Sequence, residues 1–232
     1  MPPQRPDALK SGGDRADTNA LEEPAGESIM SSSYQAEQLE ALRLVRMHLK
    51  SLPNTERGRL REQIADYMAF RSRMDEFLEV NFSAVCSAAC YRSRLSACCS
   101  REGIVTFFAD VVINLLHSGE HEIDLLVKAL QTENTGLKCV YLGPAGCLWR
   151  VKPIVCQMFL CDPAKARVFG SRPALQAAWA EFEQERKRFT WPDRPVLFDL
   201  LEAYFISAGC SSALMYLHQS PGLLRVKRRA GL

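Results

Sequence analysis

No apolar run in this chain reaches the roughly 18 residues that a membrane-spanning helix needs. The longest candidate, Ile104 to Leu116, is interrupted by Asp110 and Asn114. Strong charge of either sign is also missing: the net charge is only +2, so the overall balance predicts no polyanionic partner. Residues 1–30 carry Arg5, Lys10 and Arg15 against Asp7, Asp14, Asp17, Glu22, Glu23 and Glu27, and contain no apolar core of the kind a secretion signal needs. A cytoplasmic, reducing location is expected. Catalytic signatures are scarce as well. There is no Walker loop, Rossmann glycine pattern, Gly-x-Ser-x-Gly or His-Glu-x-x-His, and no Cys-x2-Cys knuckle. A Cys-x3-Cys-x2-Cys signature fails because Ser93 stands where its third cysteine would be.

What the chain does have is cysteine in an uneven distribution. Eight of its nine cysteines fall between Cys86 and Cys161, in two groups of four. The first group is Cys86, Cys90, Cys98 and Cys99; the second is Cys139, Cys147, Cys156 and Cys161. In a reducing compartment clustered cysteines more often hold metal than form disulfides. Thiolate is the ligand form, and zinc takes four ligands at about 2.3 Å from sulfur. Cys86 and Cys90 stand at i and i+4, which on a helix puts them on one face. Cys98 and Cys99 are adjacent, and neighbouring side chains diverge by roughly 100° on a helix. The doublet therefore serves different metals, serves different corners of a cluster, or supplies only one ligand. Eight thiolates suffice for two four-thiolate centres, of zinc or iron–sulfur, or for one such centre with thiols to spare.

The second group, Cys139-Val-Tyr-Leu-x4-Cys147-x4-Lys152-Pro153-x-x-Cys156-x-x-Phe159-x-Cys161, resembles the YkgJ-type cysteine-cluster family. That family is described as a zinc- or iron-chelating domain. Cys98-Cys99 matches its doublet, and Cys139, Cys147 and Cys156 match its later positions. The first group departs from the family pattern, with x3 and x7 in place of shorter gaps. The resemblance covers residues 86–161 and implies a metal site rather than a particular activity.

The surroundings read as mainly helical. Residues 1–31, rich in Pro, Gly, Asp and Glu, are expected to form a disordered tail. Met30, ahead of Ser31-Ser32-Ser33, is an alternative start of the protein. A single helical domain is expected over 32–220, with the cysteine module at 86–161 inside it, and a basic tail at 221–232. Ser32-x-x-Gln35 fits a capping box, and Leu39, Leu42, Val45 and Leu49 repeat at helical spacing. Pro53-Asn54-Thr55 ends that helix. One second helix follows, with Leu60, Ile64, Tyr67, Met74 and Leu78 inward. Its Arg57, Arg59, Arg61, Arg71 and Arg73, mixed with acidic residues, read as a solvated face and give no strong nucleic-acid signal.

The run from Gly103 is apolar enough for a buried strand, but its length favours a buried helix. Helices are expected at 120–131, with Ile123, Leu126, Val127 and Leu130 inward, at 174–189, and at 196–208. Trp191-Pro192-Asp193-Arg194-Pro195 is a rigid break, with Asp193 a candidate cap. The second cysteine group falls in loop-like sequence marked by Gly143-Pro144-Ala145-Gly146 and Lys152-Pro153. His117 and His121, at i and i+4, are candidate ligands or helix-end residues; His48 and His218 are isolated. Cys210 reads as a small buried residue.

Three functions fit these residues. One is a cytoplasmic metal-binding protein holding an iron–sulfur cluster, zinc or iron, with a redox link. Another is a structural zinc protein that presents its helices to a protein partner. The third is an iron-dependent enzyme that modifies a protein substrate.

Overall fold

A computed structural model describes residues 26–86, 99–100, 105–190 and 196–215, with side chains from Tyr34 onward. The tails before and after, Cys90, Cys98, His218 and the Trp191–Pro195 break lie outside these residues. Helices dominate: α1 (Gly26–Ser51), α2 (Asn54–Gln63), α3 (Ala65–Cys86), α4 (Phe108–His117), α5 (Glu120–Gln131), α6 (Ile154–Gln157), α7 (Asp162–Phe169), α8 (Pro173–Thr190) and α9 (Leu197–Ser207). A two-stranded hairpin, β1 (Leu142–Gly143) and β2 (Gly146–Cys147), sits among them. The expected mainly helical architecture is what forms. No helix among the described residues is long and apolar enough to cross a membrane.

Helix α4 lies at the centre. Phe108 through Leu116 are all buried, the pattern of a helix enclosed on every side. It packs against α1, α2 and α9. Fully burying a Phe, Val or Ile stabilises by about 1.5–3 kcal/mol each, so Phe108, Val112 and Ile113 make this helix the main apolar anchor. The apolar face of α1, formed by Ala41, Leu42, Val45 and Leu49, packs on α4 and α5. One hydrophobic cluster runs from Ala41 to Met215.

The other side of the molecule is built from rings. Phe77 of α3 stacks on Trp179 of α8 at 5.9 Å and meets Phe182 edge-on at 5.5 Å. Phe70 and Tyr67 both pack on Phe189, at 5.4 and 5.3 Å. Phe82 meets Phe169 of α7 edge-on.

Several boundaries differ from the sequence expectation. Helix α1 begins at Gly26 rather than near Ser32, because no glycine or proline interrupts Glu27 to Ser51. Ser32 thus stands inside the helix rather than at the start expected for a cap. The expected second helix is two: α2 ends and α3 starts around Ile64, whose backbone leaves helical geometry at φ −93°, ψ 1°. Arg71 is not on a solvated face; it is 2% exposed. Helix α9 is capped from within, the Val196 N–H donating to the Asp199 carboxylate at 3.3 Å. The same N3 carboxylate cap recurs at α4, where the Phe107 N–H donates to Asp110 at 3.1 Å, and at α5, from Gly119 to Glu122 at 2.8 Å.

Candidate metal centre

The second cysteine group is shaped by a short hairpin. Leu142 pairs with Cys147 and Gly143 with Gly146, leaving Pro144-Ala145 as a two-residue turn. Gly146 adopts φ +117°, a conformation that disfavours any side chain. The Leu148 N–H bonds the Tyr141 carbonyl at 2.9 Å, and the Leu142 N–H bonds that of Cys139 at 3.0 Å. Cys139 and Cys147 are thereby carried on one small frame. Cys156 follows on α6, a single turn, and Cys161 stands just ahead of α7. All four are half-buried.

The two sequence groups meet in space. Ser100 forms an antiparallel bridge with Lys138, and the Cys139 N–H donates to the Cys99 carbonyl at 2.9 Å. That pattern sets Cys99 opposite Cys139, where Cα atoms of a hydrogen-bonded pair lie about 5.5 Å apart. No spacing rule in the sequence marks this juxtaposition. Cys86, the last residue of α3, is also half-buried.

Two buried tyrosines feel the charges of three of the thiols. Tyr34 of α1 bonds Thr106 at 3.3 Å and shares a hydrogen bond with Tyr141. Tyr141 donates to Gln38, one turn along α1 from Tyr34, at 3.2 Å. Burial pushes both phenols well above the ordinary tyrosine range. The charges of Cys139 and Cys156 add to this at Tyr34, and those of Cys139 and Cys147 at Tyr141. The phenols therefore stay protonated donors next to the thiols. Tyr34 has no sequence signature, being an isolated Tyr on an amphipathic helix, whereas Tyr141 lies in the turn between Cys139 and β1.

At Cys147 burial raises the thiol, while an N–H bond from Trp149 and the Lys152 charge act in the opposite direction. Backbone N–H groups directed at sulfur are one of the means by which proteins set the properties of metal–thiolate sites. Trp149 is buried and packs edge-on against Tyr141 at 5.4 Å, closing the hairpin from behind. Among the described residues, no three His, Cys, Asp or Glu side chains are grouped closely enough to hold a metal ion as they stand.

The remaining candidates lie elsewhere. His117 ends α4 and His121 is in the first turn of α5, so Ser118-Gly119 divides them and their i, i+4 spacing does not put them on one helix. Burial, together with the nearby Arg61 and Arg150, lowers the pKa of His117; the same positive surroundings oppose a metal cation. His48 packs on Phe205 at 4.7 Å. Cys210 is half-buried, with a thiol raised by burial.

The loop that delivers Cys156 is held by side chains from the core. Asn114 accepts the Val151 N–H at 2.9 Å, Arg71 donates to the Lys152 carbonyl at 2.9 Å, and Asp110 accepts the Ile154 N–H at 3.1 Å. Arg71 also donates to the Tyr67 hydroxyl at 2.9 Å. No protein-family model, curated protein or solved structure matches this chain.

Proposed function

We propose that this is a metal-binding protein whose clustered thiolates hold an iron–sulfur cluster, zinc or iron in a reducing, cytoplasmic setting. The observation that carries the reading is the backbone pairing that sets Cys99, of the first sequence group, opposite Cys139, of the second, with Cys147 on the adjoining hairpin. Soft thiolate donors select zinc, copper(I) or iron–sulfur over magnesium or calcium. The N–H bond to Cys147 and the neutral phenols suit thiolate charge, which supports the same reading. So does the resemblance of Cys139, Cys147 and Lys152-Pro153-x-x-Cys156 to the YkgJ-type pattern.

The described thiols must draw closer to share one ion. Metal binding and local folding are coupled in thiolate sites, because the ligands repel one another until the cation joins them. Cys86, Cys90, Cys98 and Cys161 are the other thiols available for the shell. Bound there, the metal would supply a redox couple if iron–sulfur, or a structural cross-link if zinc.

Anaerobic purification without chelators tests the proposal. Brown protein with acid-labile sulfide is expected for an iron–sulfur centre, and colourless protein with stoichiometric zinc for a zinc centre. A Cys139→Ser/Cys156→Ser double variant should lose this metal, while Cys210→Ser keeps it. Folded wild-type protein with only traces of zinc and iron would refute the reading.

A further inference from the structure

Three charged or polar side chains are buried where apolar ones would cost less. Arg71, Asp110 and Asn114 are 2%, 3% and 0% exposed. Asp110 and Asn114 interrupt a helix that is otherwise apolar almost throughout. Burying an ionisable group costs several kcal/mol unless it is well bonded, so the fold retains these residues against the trend of its own core. All three bond to backbone of one short segment, Val151 to Ile154. Asp110 and Asn114 are i and i+4 on α4, which aligns both acceptors along one stripe. That stripe runs beside the segment, Asn114 meeting Val151 and Asp110 meeting Ile154.

The segment has little else to fix it. It is coil up to Ile154, and the α6 turn that follows is only four residues long. Within that turn sits Cys156. Pro153 adds rigidity by fixing its own φ, and its carbonyl accepts the Gln157 N–H at 2.9 Å. Ile154 is buried, yet apolar packing alone does not set the rotation of a single turn about its axis. Directional bonds on either side of Lys152-Pro153 do.

We propose that Asp110, Asn114 and Arg71 are positioning residues of the thiol site, anchoring residues 151–154 so that Cys156 is presented in a fixed place relative to Cys139 and Cys147. The purpose rests on the metal-binding reading; the anchoring itself does not.

Asp110→Asn is the decisive variant, because Asp110 accepts two backbone N–H groups on separate oxygens and an amide has only one acceptor oxygen. Its control is Asp199→Asn, which disturbs the equivalent helix cap of α9 without touching the Cys156 segment. In native protein, N-ethylmaleimide modification followed by peptide mapping should show faster labelling of Cys156 in Asp110→Asn, with Cys210 unchanged. Asp199→Asn should label like wild type even if its melting temperature falls as far. Zinc affinity, measured by competition with a chromogenic chelator, should drop by roughly 10- to 100-fold in Asp110→Asn alone, the range for partners that orient metal ligands. Should Asp110→Asn not fold, Asn114→Ala, which removes only the Val151 bond, is read in the same way. Equal Cys156 labelling in a folded anchor variant and in wild type overturns the proposal. If wild-type protein binds neither zinc nor iron, the metal-binding reading falls, and the labelling contrast still decides the anchor.

Discussion

The α3–α8 side and the α4–hairpin side of this protein are buried by different means. Between α3 and α8 the contact is ring on ring: Phe77 with Trp179 and Phe182, Phe70 and Tyr67 with Phe189. Around α4, α1 and the hairpin, buried polar groups bond to one another or to backbone: Asp110 and Asn114 of α4, joined by Arg71 from α3, on the Cys156 segment, and Gln38 and Tyr34 on Tyr141. Rings contribute stability through area and tolerate small displacements. Hydrogen bonds contribute only about 1 kcal/mol net, but they impose direction. The difference shows which side the fold keeps in exact register, and it is the side that carries the cysteines.

The sharpest way to break this comparison is a deletion on the aromatic side. Phe70→Ala removes a fully buried ring that touches Tyr67, Phe182 and Phe189. A loss of about 3–5 kcal/mol is expected from urea unfolding. Under native conditions Cys156 labelling should stay at its wild-type rate. If labelling rose along with the loss of stability, the two sides would form one mechanical unit and the contrast would fail.

Helix spans were more legible in sequence than the polar contacts between them. Helices α5, α8 and α9 lie within a residue or so of their expected spans, because apolar residues recur along them at helical spacing between turn residues. The loop character of the second cysteine group was also readable, from Gly143-Pro144-Ala145-Gly146. Arg71 was hidden among Arg57, Arg59, Arg61 and Arg73, four residues of its own type. Arg59, Arg61 and Arg73 do lie on exposed surface, Arg59 pairing with Glu56 and Arg73 with Glu185. Asp110 and Asn114 looked like interruptions in an apolar run, and a one-dimensional pattern does not reveal that they face backbone far along the chain. The approach of Cys99 to Cys139 depends on strand pairing across 39 intervening residues, which spacing within each group does not encode. Nothing in the residues around Ile64 marks the break between α2 and α3.

A second test acts through pH. Burial is the main cause that raises Asp110 from 3.8 to about 7, with its two N–H bonds and Arg71 acting in the other direction. The folded protein therefore holds this proton across a window in which the unfolded chain has released it. More protons on the native state means that stability falls as pH rises, from about pH 4 to pH 7. Asp199 is also raised by burial and adds a contribution of the same sign. Unfolding midpoints of wild type should decline across this window, and Asp110→Asn should decline less. Parallel curves for the two proteins would show that Asp110 titrates normally and that its site is wetter than its burial implies.

The smallest effect is expected at the surface of the α1–α5 contact, where Arg46 and Lys50 pair with Glu120 and Arg46 with Asp124. These pairs hold Glu120 below its ordinary range, chiefly through the bond from Arg46. Glu120 is nevertheless 58% exposed, so water and salt screen the attraction. Glu120→Gln should cost under about 1 kcal/mol, with the difference shrinking as salt is added. The contact beneath does not depend on it, since Ala41, Leu42 and Val45 are buried with Ile123, Leu126 and Leu130. A loss as large as that of Phe70→Ala would mean that direction matters on this surface as much as at the anchor. Polar bonds would then set register throughout α1, and not only where α1 meets the cysteine hairpin.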